Sequence, residues 1–194
     1  MISKELLGAI ALVLTFVAFY PYIRDILRDK TKPHVFSWAI WGVGTLIVSV
    51  AQWLDGGGAG AWVIGISGLI TCSVAVLSWV KATDTSIVAM DWVFLILAGS
   101  ALPLWFFTDS ALSAVIILTI VDLLGFGPSV RKAYSLPHEE NASFFAIGAL
   151  RNVFVVLALE NYSWTTALFP AAIGIACAIF VALILTRRTI VKAS

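Results

Sequence analysis

The sequence predicts an all-α membrane protein of seven transmembrane helices, built from two parallel three-helix repeats and a linker helix. Three observations predict it. Of 194 residues, 61% are hydrophobic and 12% charged, where a soluble domain carries about 25% charge; mean hydropathy is +1.02. So apolar a chain has too little polar surface to face water everywhere, so the bilayer is its main solvent. Second, the chain holds nearly the same unit twice. Pro21-Tyr22-Ile23-Arg24 answers to Pro128-Ser129-Val130-Arg131, each ends an apolar stretch, and each leads to a Pro-His pair, Pro33-His34 and Pro137-His138. Third, basic residues fall almost wholly into alternate connections.

A helix needs roughly 20 apolar residues to cross the hydrocarbon core, which selects segments of about 5–24, 35–54, 61–81, 90–108, 111–131, 142–160 and 163–186. The first has a weak n-region and no small-residue cleavage pattern, and reads as a retained helix, not a signal peptide. Connections are short, so residues 1–194 form one membrane domain: repeat one over about 5–82, the linker over about 90–108 and repeat two over about 111–188. An odd number of spans per copy requires the single fourth helix if both copies are to run the same way.

Arg24, Arg28, Lys30, Lys32, Lys81, Arg131, Lys132, Arg187, Arg188 and Lys192 fall on one side of the seven-span arrangement and only Lys4 on the other. Positive charge marks the cytoplasmic side, which puts the N-terminus outside and the C-terminus in the cytoplasm, in a cell (inner) membrane. The outer connections are acidic or glycine-rich, as in Asp55-Gly56-Gly57-Gly58, Asp109 and Glu160-Asn161. Trp53, Trp62, Trp105 and Trp164 fall near the outer boundary and Trp79 and Trp92 near the inner one, as interfacial belts do.

This arrangement resembles the SWEET, SemiSWEET and PQ-loop transporter superfamily, to which the bacterial nicotinamide-riboside transporters look similar. The resemblance rests on the span count, the outside N-terminus, Pro21 and Pro128 near the cytoplasmic end of each repeat's first helix, the basic turns that follow, and the aromatic run Phe36-Ser37-Trp38-Ala39-Ile40-Trp41. It implies a small-solute transporter working by alternating access. Proline in the last turns of a helix removes a backbone hydrogen bond, so Pro21 and Pro128 either simply end their helices or serve as cytoplasmic hinges. There are departures. Tyr22 and Ser129 stand where the namesake Pro-Gln pair has Gln. Gly65-Ile66-Ser67-Gly68-Leu69-Ile70-Thr71-Cys72 and Ala171-Ala172-Ile173-Gly174-Ile175-Ala176-Cys177 lack the Asn expected of sugar-transporting members.

Ionisable groups deep in a membrane are costly and therefore functional candidates. Two stand out, Asp122 and Arg151. At about 1.5 Å of rise per residue, each lies roughly 13 Å from the turn between the fifth and sixth helices. Opposite charges at one depth on successive helices are expected to pair if their faces meet. Such a pair either ties two helices together, or Arg151 with Asn152 binds an anionic or carboxylate-bearing solute, with Asp122 taking up a coupling proton in one variant. Aligning the prolines puts Thr15 opposite Asp122, so the first copy has no matching charge.

Trp38 and Trp41 lie one turn apart and share a face. They either pack on the first helix or form a stacking platform for a ring-shaped solute. Phe144 and Phe145 correspond to them in the second copy. Thr71, with Ser67 and Ser73, is a mildly polar site residue of the third helix; such hydroxyls commonly bond their own backbone. His34 and His138 are expected in solvated turns. Cys72 and Cys177 read as packing residues, since no ligand spacing surrounds them. No HExxH, phosphate loop or nucleophile–base arrangement appears, so no enzyme, cofactor or metal is expected. The expected partners are the lipid bilayer and a small-molecule substrate, not nucleic acid, with homo-oligomerisation left open. A membrane receptor or structural membrane protein of the same architecture is the alternative function.

Overall fold

A computed structural model of the chain describes residues 3–29, 33–81, 85, 87, 89–135 and 137–191. Lys30, Lys32 and Lys192, three of the cations behind the expected orientation, lie outside them, as do the side chains of Pro128, Arg131 and Lys132. The described chain is helical: α1 Lys4–Leu27, α2 Val35–Leu54, α3 Gly58–Val80, α4 Ala89–Thr108, α5 Ala111–Gly125, α6 Gly127–Ser135, α7 Ala142–Ala158 and α8 Trp164–Ile190, with a short 3₁₀ turn at Pro137–Glu139.

Polar side chains define several helix starts. Ser3 Oγ accepts from Leu6 N in α1, Asn141 Oδ1 accepts from Phe144 N in α7, and Ser163 and Thr166 form a reciprocal capping box at α8. Each satisfies an amide that the first turn leaves without an intrahelical partner. The tight α2–α3 turn uses Gly56 at φ 74° and Gly58 at φ 55°, a left-handed region open to glycine at little cost.

Five helices, α1, α2, α3, α4 and α8, are long and apolar enough to cross a membrane; α5 and α7 are shorter apolar helices. The expected fifth helix over about 111–131 is therefore corrected. It breaks at Phe126, whose N–H bonds Leu123 O at 3.1 Å, and restarts as α6. Pro128 explains the break, because proline has no N–H for the carbonyl four residues back, and Gly125 and Gly127 on either side weaken the helix further. Pro21 behaves differently. It lies inside α1, six residues before its end, so it does not terminate that helix.

Packing gives each half one central helix. α3 lies between α1 and α2, and α8 lies between α5 and α7. The halves meet through α1 against α7 and α2 against α5, with α3 touching α7 and α2 touching α8. α4 packs mainly on α5 and buries only Asp91 and Ala101. The central core joins Ala11, Val48, Ala51, Ile64, Ala114, Leu118, Val155 and Phe169. Its many small residues let backbones approach closely, which is how helices associate where no hydrophobic force separates protein from lipid.

Candidate functional site

α7 carries a buried stripe of Arg151, Asn152, Val155 and Ala158, spaced to share one helix face. Arg151 is 8% exposed. Its guanidinium reaches α3, where Nη1 donates to Ser67 Oγ at 2.9 Å; Nη2 donates to Asn152 Oδ1 at 3.1 Å. Asn152 in turn donates from Nδ2 to Gly148 O at 2.9 Å. Gly174 makes room for it on α8: a Cβ there would stand 3.0 Å from Asn152 Cβ. Thr71, one turn along α3, donates to Ser67 O at 2.8 Å. Arg151, Asn152, Ser67 and Thr71 thus form one buried polar chain across α7 and α3.

That chain contains no acid. A guanidinium offers five donors, here two reach neutral oxygens, and Nε is buried with no partner among the described residues. Arg151 forms no salt bridge there either. An uncompensated buried charge costs several kcal/mol, so the arrangement is incomplete electrostatically and suits an added anion.

The expected pairing of Asp122 with Arg151 is not found, and the packing explains why. α8 stands between α5 and α7, so the two charged faces do not meet. Asp122 is half-buried on the α5 face that meets α2. One turn to either side, Leu118 abuts Gly44, and Gly125 abuts Trp41, whose ring a Cβ at Gly125 would meet at 2.6 Å.

Trp38 stacks on Tyr22 of α1 with centroids 5.0 Å apart, and Phe19 meets its edge at 6.4 Å. Phe19 and Tyr22 both meet Phe144 of α7, at 6.2 and 6.3 Å. Trp38 therefore packs on the first helix and helps join the halves. Trp38 and Trp41, edge-on to each other at 5.9 Å, both wall a cavity of about 390 Å³ between α2, α4 and α5. His34, Ser37, Asp91 and Ser129 supply its polar lining. His34 is not simply solvated: Nδ1 lies 2.8 Å from Ser37 Oγ and Nε2 3.8 Å from Asp91 Oδ2. The structure does not bring the two tryptophans together with Arg151.

Ser67 was expected only as a mildly polar residue bonding its own helix, and nothing in the residues singled out Asp91. Thr71 and Ser73 do bond their own carbonyls, whereas Ser67 accepts from Arg151; only a neighbouring helix distinguishes them. Ser67→Ala should loosen Arg151 and weaken any anion held there by about tenfold, the range for one hydrogen bond to a charged group, with a smaller effect on thermal stability. Titration of both proteins with the same carboxylate measures the difference. Among the described residues no three His, Cys, Asp or Glu side chains gather where they could hold a metal.

Fold and site together define a helical protein with at least five helices fit to cross a membrane and a buried, acid-free arginine centre. No protein-family model, curated protein or solved structure matches the chain.

Proposed function

We propose that this protein is a membrane transporter for a small polar solute with a carboxylate or similar anionic group, working by alternating access. The observation that carries the proposal is Arg151: a guanidinium held inside a helical bundle by neutral partners alone, with Nε unused. A purely structural arginine is normally matched by an acid, because the desolvation cost is otherwise unrecovered.

The proposed architecture is seven spans, the N-terminus outside, two parallel repeats (α1–α3 and α5–α8) and α4 as linker, as in the SWEET-like transporters the sequence resembles. Helix packing supports the repeat. Exchanging α1 with α5, α2 with α7 and α3 with α8 turns each inter-half contact into another observed one. Phe126 meets Phe145 at 6.1 Å much as Phe19 meets Trp38 at 6.4 Å. Such repeats place the solute path on the axis between them. Pro21 and Pro128 are proposed to flex as the halves rock.

The test uses paired probes of one shape, benzoate with benzamide and propionate with propionamide. Carboxylates should raise the unfolding temperature of the purified protein by mass action and enter proteoliposomes, while the amides should do neither. Equal responses to acids and amides, or uptake unchanged by Arg151→Ala and Asp122→Asn, would sink the proposed site.

A further inference from the structure

Apart from the Arg151–Ser67 bond, the polar contacts described between the two halves gather at one end of the molecule, where the α2–α3 and α7–α8 turns meet. Glu160 N donates to Gly57 O at 3.4 Å and Asn161 N to Gly56 O at 3.2 Å. Asn161 Nδ2 donates to Asp55 O at 2.7 Å, and Ser163 Oγ bonds Asp55 Oδ2. Just beneath, Gln52 Nε2 of α2 donates to Thr166 O of α8 at 2.8 Å. On the flank, Lys4 Nζ of α1 donates to Leu157 O of α7 at 2.7 Å and to Tyr162 Oη at 2.9 Å.

The opposite end is built otherwise. Polar links there include Lys81 with Asp29 and Leu27 O, Arg187 with Tyr134 O, Arg188 with Pro137 O and Glu140 O, and His138 with Val191 O, each within one half, and His34 with Asp91 of α4. The halves touch there through the rings of Phe19, Tyr22 and Phe144, which make no directional bonds.

Close approach at the bonded end depends on missing side chains. A Cβ on Gly60 would stand 2.9 Å from Val155 O and 2.7 Å from Leu159 Cδ2; one on Gly58 would overlap Glu160. The closed arrangement also buries Gln52 Oε1 without a partner among the described residues. Leaving a buried acceptor unmade is unfavourable, and parting of the halves with entry of water would relieve it.

Resting on the transporter proposal above, we infer that the α2–α3 and α7–α8 turns are a reversible latch closing one end, the outer one in the proposed orientation, over the Arg151 centre. The bonds hold it shut, the glycines allow it to shut, and the unpaired Gln52 carbonyl keeps it able to open. A solute reaching Arg151 from that side must wait for these bonds to part.

The test is electron–electron distance measurement between spin labels at the exposed Trp62 and Trp164 positions, one in each half, in a Cys72→Ala, Cys177→Ala background in nanodiscs. A short distance should dominate, with a minor longer population. Lys4→Met removes both of its bonds to α7 and its following turn and should raise the long-to-short ratio at least about fivefold, a change that the loss of even one ordinary hydrogen bond would give. Gly60→Val, which wedges α3 from α7, should raise it further. A second measurement pairs Gly56→Cys with Asn161→Cys, since a Cβ on Gly56 would lie 3.6 Å from Asn161 Cβ, within the disulfide range of about 3.5–4.5 Å; the strain of a side chain at φ 74° and the lost Asn161 Nδ2 bond are common to every protein compared. Oxidation should close that pair nearly completely, and less so with Lys4→Met or Gly60→Val. A single short population in all three spin-labelled proteins, or an unchanged cross-linking yield, would overturn the latch. Neither readout needs a cargo, so a latch that opens in a protein without flux would overturn the transport proposal alone.

Discussion

Arg151→Met should abolish carboxylate binding while leaving the fold at least as stable as the wild type. The two effects separate because they have different physical origins. Methionine fills similar volume without a charge, so it removes the desolvation cost of an ion inside the bundle, several kcal/mol before relaxation. Ser67 can then turn its hydroxyl to its own backbone, as Thr71 does on the same helix. The remaining loss is one donor to Asn152 Oδ1. For a bound carboxylate the same change removes its only charged partner, and truncating one side of a buried charge pair costs about 2–5 kcal/mol, or about 30-fold and upward in affinity. Arg151→Lys should recover little, because a compact ammonium cannot hold Ser67, Asn152 and a solute in one planar fork. Melting temperature and benzoate titration on the same samples decide the matter. A marked drop in stability with carboxylate binding intact would make Arg151 a structural residue.

The largest effect on stability is expected at Gly42→Ala. A Cβ there would stand 2.6 Å from Cys72 Sγ, 2.8 Å from Cys72 N and 3.1 Å from Cys72 Cα. Two of these three atoms are backbone, so α2 and α3 must separate rather than repack a side chain. Overpacking of this kind costs about 1–3 kcal/mol, and the rigid neighbours place Gly42 at the upper end. Cys72→Ala removes only the sulfur and should not rescue it. Gly99→Ala is the control: nothing lies within 4 Å of its Cβ position, and alanine suits a helix interior better than glycine by about 1 kcal/mol. Denaturation in mixed micelles followed by circular dichroism should rank Gly42→Ala well below wild type and Gly99→Ala at or slightly above it.

Much of the helix pattern was legible in the residues, because apolar length and turn chemistry are local properties. The α2 range Val35–Leu54 follows directly from an apolar run between Pro33-His34 and Asp55-Gly56. The α5–α6 break was less legible. Apolar content continues past Gly125, and the expected segment ran on through Pro128, where the missing N–H interrupts the helix. Pro21 carries the same residue type without the same outcome, which shows that flanking glycines matter as well.

The site divided along the same line. Asp122 and Arg151 were visible as rare charges in apolar helices, and that cost is read residue by residue. Their pairing was an inference about faces, and the faces are set by which helices are neighbours. With α8 between α5 and α7, Arg151 turns to Ser67 and Asp122 turns toward α2. Trp38 and Trp41 were seen as one face of α2, and both line a cavity with Asp91, but only the packing order put Trp38 on Tyr22 as well.

The sequence by itself determined that the chain is helical and apolar enough to suit a bilayer, that the Pro21…Arg24 pattern returns as Pro128…Arg131, and that Arg151 is an exceptional charge. These follow from composition, spacing and the absence of water to satisfy a lone ion. Only the tertiary structure decided that Arg151 has no acidic partner among the described residues, that Ser67 belongs to its centre, and that the α2–α3 and α7–α8 turns bond across the two halves. Those are relations between residues 84 to more than 100 positions apart, and helix packing order alone brings them into contact.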